Sequence, residues 1–174
     1  QWQSLAFKKN ADAVKIKRES AVLRPYHSAG ESNFYRGAAV TLARRNWQAT
    51  LFGSSRKLDA NLAADSTAGV DDYVTSLQTS GLHRTNSELA DKGVQTQISW
   101  GAVLSYRYEQ LQIALNTVHH LFGSPLRKAP EPYNRFQLTG TRFGYYSIDY
   151  SYSFRNIHLF GEVAADRRFT GALL

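Results

Sequence analysis

The sequence predicts an all-β chain, folded as an antiparallel up-and-down meander with a short helix in one long loop. Two observations predict it. Three stretches alternate apolar and polar residues over eight or more positions, the mark of strands with one apolar and one polar face. Each stretch is also interrupted once, by a polar pair across which the alternation stays in phase. The composition agrees: 174 residues suit one domain, and 13% aromatic residues favour strands over helices.

The first hairpin is "GAAVTLARRNWQATLFGS" (37–54). Ala38, Val40 and Leu42 share a face that Trp47, Ala49 and Leu51 continue across Arg45-Asn46. In "SWGAVLSYRYEQLQIALNTV" (99–118), Trp100, Ala102, Leu104, Tyr106 and Tyr108 are continued by Leu111, Ile113 and Leu115 across Glu109-Gln110. In "YYSIDYSYSFRNIHLFGEV" (145–163), Tyr146, Ile148, Tyr150, Tyr152 and Phe154 are continued by Ile157, Leu159 and Val163. Residues flanking a two-residue turn pair directly and point the same way. Arg44/Trp47, Tyr108/Leu111 and Phe154/Ile157 are therefore the expected flanking pairs, and a one-residue slip would send the second strand's apolar set to the wrong face. The expected ladders join 33–44 with 47–56, 98–108 with 111–121, and 143–154 with 157–165. A weaker strand is expected over 13–23, and "RRFTGALL" looks like the start of another.

Residues 55–97 and 119–141 are expected to be long, polar, irregular loops. In the first, Thr85 and Glu88 form a capping box that predicts a helix to about Lys92, stopped at Gly93. His83-Arg84, just before the cap, offer a weak contact for an anion. The second holds three of the four prolines. Residues 1–12 are set apart as an N-terminal segment from a β-barrel segment over 13–174.

Alternation alone does not say what covers the apolar face. No apolar run approaches the ~20 residues of a membrane helix. A membrane barrel escapes that test, because lumen residues dilute its apolar ones. Aromatic residues bound the stripes at both ends, forming a candidate girdle of Trp47, Trp100, Tyr108, Tyr146 and Phe154. The opposite face is small and hydrophilic (Gln48, Thr50, Ser99, Ser105, Gln112, Asn116, Ser147, Ser151), with Phe52 and Val103 as exceptions. Its charges, Arg36, Arg107 and Asp149, are candidate lumen groups, with Asp149 expected to face water or pair with Arg36 or Arg107. Short turns at one end and long loops at the other match outer-membrane barrels. The expectation is thus part of a transmembrane β-barrel in a bacterial outer membrane, with the lipid bilayer and other outer-membrane proteins as partners.

A soluble lipocalin-like ligand-binding barrel alternates in the same way, with Leu104, Ile113 and Ile148 inward. An outer-membrane hydrolase built on a Ser/His pair, with His119 or His120, is the third reading. Neither a nucleophile elbow nor a paired-carboxylate site, phosphate loop or metal-ligand spacing is present. The expectation is a non-enzymatic channel or scaffold in an envelope complex, with no catalytic residues, metal or cofactor. The chain has no cysteine, so disulfides play no part. The net charge of +7 would suit nucleic acid, but lumen arginines and girdle tyrosines account for the same residues.

The motifs "LARRNWQATLFGSSRKLDAN", "TSGLHRTNSEL", "PYNRFQLTG" and "SIDYSYSFRNIHLFGEVA" together resemble Bacteroidetes outer-membrane β-barrel proteins. More narrowly, they resemble the barrel portion of long proteins that begin with a helix-hairpin-helix region. The resemblance covers about residues 12–174 and is most specific at "SGLHRT" and "DYSY…RN.H.FGE". It implies an outer-membrane location and a larger barrel, of which this chain is read as an internal segment. The helix-hairpin-helix part is absent here, so no DNA function carries over, and the resemblance supplies no catalytic residues.

Overall fold

The computed structural model describes residues 34–65, 70–128, 131, 137–166 and 170–173. The weaker strand expected at 13–23 lies outside them. The chain is all-β: β1 (Gly37–Arg44), β2 (Trp47–Asp65), β3 (Val70–Gln78), β4 (Gln95–Tyr108), β5 (Leu111–Leu126), β6 (Gly140–Phe154), β7 (Ile157–Ala165) and β8 (Thr170–Leu173), with one helix, α1 (Asn86–Ala90).

The three hairpins form in the expected register. Arg44 pairs with Trp47, Tyr108 with Leu111 and Phe154 with Ile157. In each two-residue turn the first residue has a positive φ: 53° at Arg45, 48° at Glu109 and 50° at Arg155. The hairpins lie side by side through β2–β4 and β5–β6 pairing, and β8 adds to β7. Trp47 pairs with Tyr106, two residues short of the second turn, and Leu111 pairs with Tyr152, two short of the third. Each hairpin therefore overhangs the last in the same sense. Hydrogen bonds from Arg107 N to Asn46 O (2.8 Å) and from Ser153 N to Gln110 O (3.1 Å) carry the ladder across each overhang. Two residues per hairpin is one per strand, which tilts the strands by about 35° given a rise of ~3.3 Å and a spacing of ~4.8 Å.

The expected irregular loop over 55–97 is the main correction. β2 continues to Asp65 and pairs with β3, through two register shifts. A single parallel bridge, Val74 to Leu126, then closes β2, β4, β5 and β3 into a four-strand barrel from which the other strands extend. Likewise β5 runs past His119 and His120 to Leu126, so those histidines do not end a strand. The fully buried Gln95 side chain supports this extension by acting as a ladder partner. Its amide donates to Ser124 O (2.8 Å), and its carbonyl accepts from Ser124 N (3.0 Å).

The capping box of α1 forms as expected, but the helix ends at Ala90, short of Lys92. Gly93 follows at φ 62°. The loop is tied down to β2. Asp59 accepts from Gly93 N (2.8 Å) and bonds His83 Nε2 (2.8 Å), and Ala60 N donates to Asp91 O (3.0 Å). His83 thus serves a carboxylate within the chain rather than an incoming anion.

Two predictions follow from this packing. On the inner side Phe52 faces Gly101, where a Cβ would lie 2.4 Å from Thr117 O and 2.7 Å from the Phe52 ring. Gly101→Ala should cost about 1–3 kcal/mol by overpacking. Gly53→Ala, where a Cβ meets nothing within 4 Å, should change stability by less than about 0.5 kcal/mol. Equal costs in a urea titration would contradict the packing.

The second concerns pH. Hydrogen bonds from the backbone N–H groups of Arg84 (2.6 Å) and Thr85 (3.2 Å) hold the Glu88 carboxylate below its usual range. A depressed carboxylate contributes fully above its unfolded pKa of about 4.3, and the contribution is lost as pH falls toward the folded value. The Arg84 and Thr85 amide resonances should titrate with a midpoint below about 4.3. A midpoint at or above that value would contradict the cap.

Candidate functional site: an apolar outer face and a polar inner face

Alternation gives every strand two faces, and the curvature of the sheet makes them unequal. The inner face is covered and mixed in polarity: Ala114, Val118 and Phe122 are buried on it among many polar residues. Thr50, Ser54, Gln97, Ser99 and Ser147 are all buried there, with Ser99 only 1% exposed. The outer face carries the large apolar side chains in the open: Trp100 is 52% exposed, Ile148 53%, Leu104 39% and Ile113 37%. So many large apolar side chains in the open depart from the usual arrangement, in which they are buried.

The girdle candidates all lie on the outer face. Trp47, Tyr108 and Phe154 flank the three turns. Trp47 packs on Tyr106 at 4.7 Å. Trp100 and Tyr146 lie toward the loop end, joined by a residue that sequence reasoning did not assign. His119 stacks on Trp100 at 4.0 Å and meets Tyr146 edge-on at 5.4 Å. The signal for it was present in the hairpin register, which places His119 directly opposite Trp100. Gly144, its partner on β6, leaves room for the ring, since a Cβ there would come within 2.9 Å of His119 Nδ1.

Of the candidate inner charges, Asp149 is half-buried and accepts from Asn116 Nδ2 at 2.7 Å. Of the two expected outcomes, facing water or pairing with Arg36 or Arg107, the pairing does not form. Its direct partner on β7 is Glu162. Arg107 is exposed and donates to Gln112 Oε1 at 3.1 Å. The exposed Arg36 has the parity of the outward Ala38 and Val40; its guanidinium lies 5.0 Å from the centre of the Phe34 ring, and its backbone N donates to Ser54 Oγ. The three are separate groups and form no common site.

The densest inner cluster surrounds His120. Its Nδ1 lies 2.8 Å from Ser99 Oγ, while Gln97 accepts from Arg56 Nε at 2.8 Å. The segment before β1 crosses over this cluster. Phe34 O accepts from Arg56, and Tyr35 stacks on His120 with ring centres 6.4 Å apart. Burial pushes the Tyr35 phenol up in pKa, partly offset by Arg56.

Ser99 and His120 are the Ser/His pair that the hydrolase reading needs. However, Ser99 is covered, and among the described residues no carboxylate is bonded to His120 to orient it as a triad base. Among the described residues no group of three or more His, Asp or Glu could hold a metal ion, and no helix is long and apolar enough to cross a membrane.

No family model, curated protein or solved structure matches this chain.

Proposed function

We propose that the chain is a segment of a transmembrane β-barrel in a bacterial outer membrane, acting without catalysis as a channel or as a scaffold in an envelope complex. The observation that carries this reading is the exposure of the large apolar side chains on the outer face. An exposed apolar surface spread over successive strands is far larger than a soluble monomer tolerates, and calls for a covering medium. Among the described residues, no element of the chain packs over it.

The dimensions support lipid as that medium. On β4 the outward positions from Ile98 to Tyr108 are Ile, Trp, Ala, Leu, Tyr and Tyr, with no charge. Tilted as above, they span about 25–30 Å, against the ~25 Å apolar band of outer-membrane barrels. On the strands, outward charges return at Lys57 and Arg142 on the loop side and at Arg44 beside a turn, while Arg36, just before β1, has the outward parity of Ala38 and lies level with the loop-side aromatic residues. The tilt of about 35° also falls within the range of such barrels.

A soluble ligand-binding barrel needs Leu104, Ile113 and Ile148 inward, and they are exposed on the outer face. The hydrolase reading has its Ser/His pair, but in a covered position.

Arginine substitutions test the proposal. Leu104→Arg or Ile113→Arg, near mid-band, should cost about 2–4 kcal/mol in a vesicle urea titration. Ser105→Arg, on the inner face, should cost far less. Equal costs, or a folded monomer that stays in the aqueous phase without detergent, would overturn the reading.

A further inference from the structure

We propose that the turn end of the sheet is a docking surface for the phosphodiester headgroups of anionic phospholipids, gripped by Arg44, Arg45 and Arg155. The inference rests on the membrane reading above and adds to it a lipid preference on one side.

Three observations support it. The first is charge. The ionisable residues at and beside the three turns are Arg44, Arg45, Arg107 and Arg155 against the single acid Glu109. Among the described residues, no carboxylate is bonded to Arg44, Arg45 or Arg155. At the other end, by contrast, Asp59 is paired with His83, and Glu88 lies near Arg84. The turn end therefore holds a surplus of positive charge, in which Arg44, Arg45 and Arg155 have no carboxylate partner among the described residues. All of its cations are arginines, whose planar fork matches phosphate oxygens in a way that lysine does not.

The second is backbone strain. Arg45 and Arg155 occupy the left-handed region, at φ 53° and 50°. That conformation costs an L-residue with a Cβ roughly 1–2 kcal/mol, and glycine or asparagine adopts it most readily. Asparagine is the very next residue in both turns, Asn46 and Asn156. The reverse order would put the tolerant residue at the strained position. Glu109 takes the same position at 48° in the second turn, and Asn46 is held second in the first turn by its bond to Arg107 O (2.6 Å). What marks the first and third turns is that the strained position projects a cation at the rim.

The third is depth. Trp47, Tyr108 and Phe154 flank the same turns, and aromatic girdles sit at headgroup level. Arg44 is paired with Trp47 on the last rung of its ladder. The Arg155 guanidinium lies over the Phe154 ring, 5.3 Å from its centre. The arginines are thus placed where phosphates would lie if the band is in a bilayer. Each cation near an anionic membrane surface is worth about a fivefold preference.

The test is energy transfer from the turn end of the full protein in vesicles. The chain has no cysteine, so Gln110→Cys in the second turn can carry a single donor dye. Acceptors are tail-labelled phosphatidylglycerol or tail-labelled phosphatidylcholine at equal density. Phosphatidylglycerol should be enriched several-fold over phosphatidylcholine around the donor. The enrichment should vanish in R44Q/R45Q/R155Q and at high salt, and inorganic phosphate at millimolar concentration should leave it intact. Equal transfer from both lipids in the native protein would overturn the proposal. So would enrichment that survives the triple substitution, or displacement by inorganic phosphate, which would indicate a free-anion site. The salt response of the native protein decides the matter if the triple variant does not fold. Failure of the membrane reading itself would look different, with no transfer from either lipid.

Discussion

The backbone register of the hairpins is the constraint on which the rest of this structure depends. In a strand the side-chain period is two, so one slip of the ladder exchanges the two faces completely. Here the slip would bring Ser99, Ser147 and Asp149 out and turn Trp100, Ile148 and Tyr150 in. Three turns of the same length hold the register, and the constant two-residue overhang passes it from each hairpin to the next. The overhang is bonded rather than frayed, because Asn46 and Gln110 each accept from the strand beyond. Strand tilt, band height and the level of the aromatic residues all follow from that one regularity.

The two faces set different packing problems. Inside, polar groups must find partners once they are covered, since an unmade hydrogen bond costs about 1–3 kcal/mol. The inner hydrogen bonds meet this need locally: Thr41 with Thr50, Ser99 with His120, Asn116 with Ser147 and Asp149, and His158 with Ser151 and Ser153. Two of the apolar residues on the inner face, Phe52 and Val103, behave differently from these. Phe52 lies over Gly101, where the missing side chain makes space for its ring, while Val103 pairs with Asn116. Outside, the side chains are more exposed, and aromatic contacts such as the Trp100–His119–Tyr146 cluster join neighbouring strands. Among the described strands β1 is bonded only to β2, and β8 only to β7. Within a bilayer such edges would need further strands, because open sheet edges do not occur in hydrocarbon.

Much of this was legible in the sequence, for identifiable reasons. The hairpins could be read because each polar pair sits between residues that must face each other, and the apolar stripes stay in phase across it. The loop helix could be read from Thr85 and Glu88, whose reciprocal bonds are local. The extension of β2 could not. "SSRKLDANLAAD" lacks sustained alternation, and its strand is held by β3 and by the Asp59 and Ala60 bonds to the returning loop, which are tertiary. Gln95 escaped notice for a related reason, since its amide replaces a backbone rung that only the folded β5 exposes. Asp149 was expected to face water or pair with an arginine, and its carboxylate instead accepts from Asn116 on the neighbouring strand. His119 had the right register to be placed with Trp100, yet histidine is not a residue that alternation marks as apolar.

The central claim is that the outer face meets hydrocarbon while the inner face is turned away from it. Spin labels introduced singly from Tyr146 to Phe154, in the protein reconstituted in vesicles, test it most directly. Collisions with dissolved oxygen, which concentrates in lipid, should peak at Tyr146, Ile148, Tyr150, Tyr152 and Phe154. Collisions with a water-soluble nickel chelate should peak at Asp149, Ser151 and Ser153, out of phase by one residue, and reach the buried Ser147 less. Two profiles in phase, or free access of the chelate to Ile148 and Tyr150, would contradict the account.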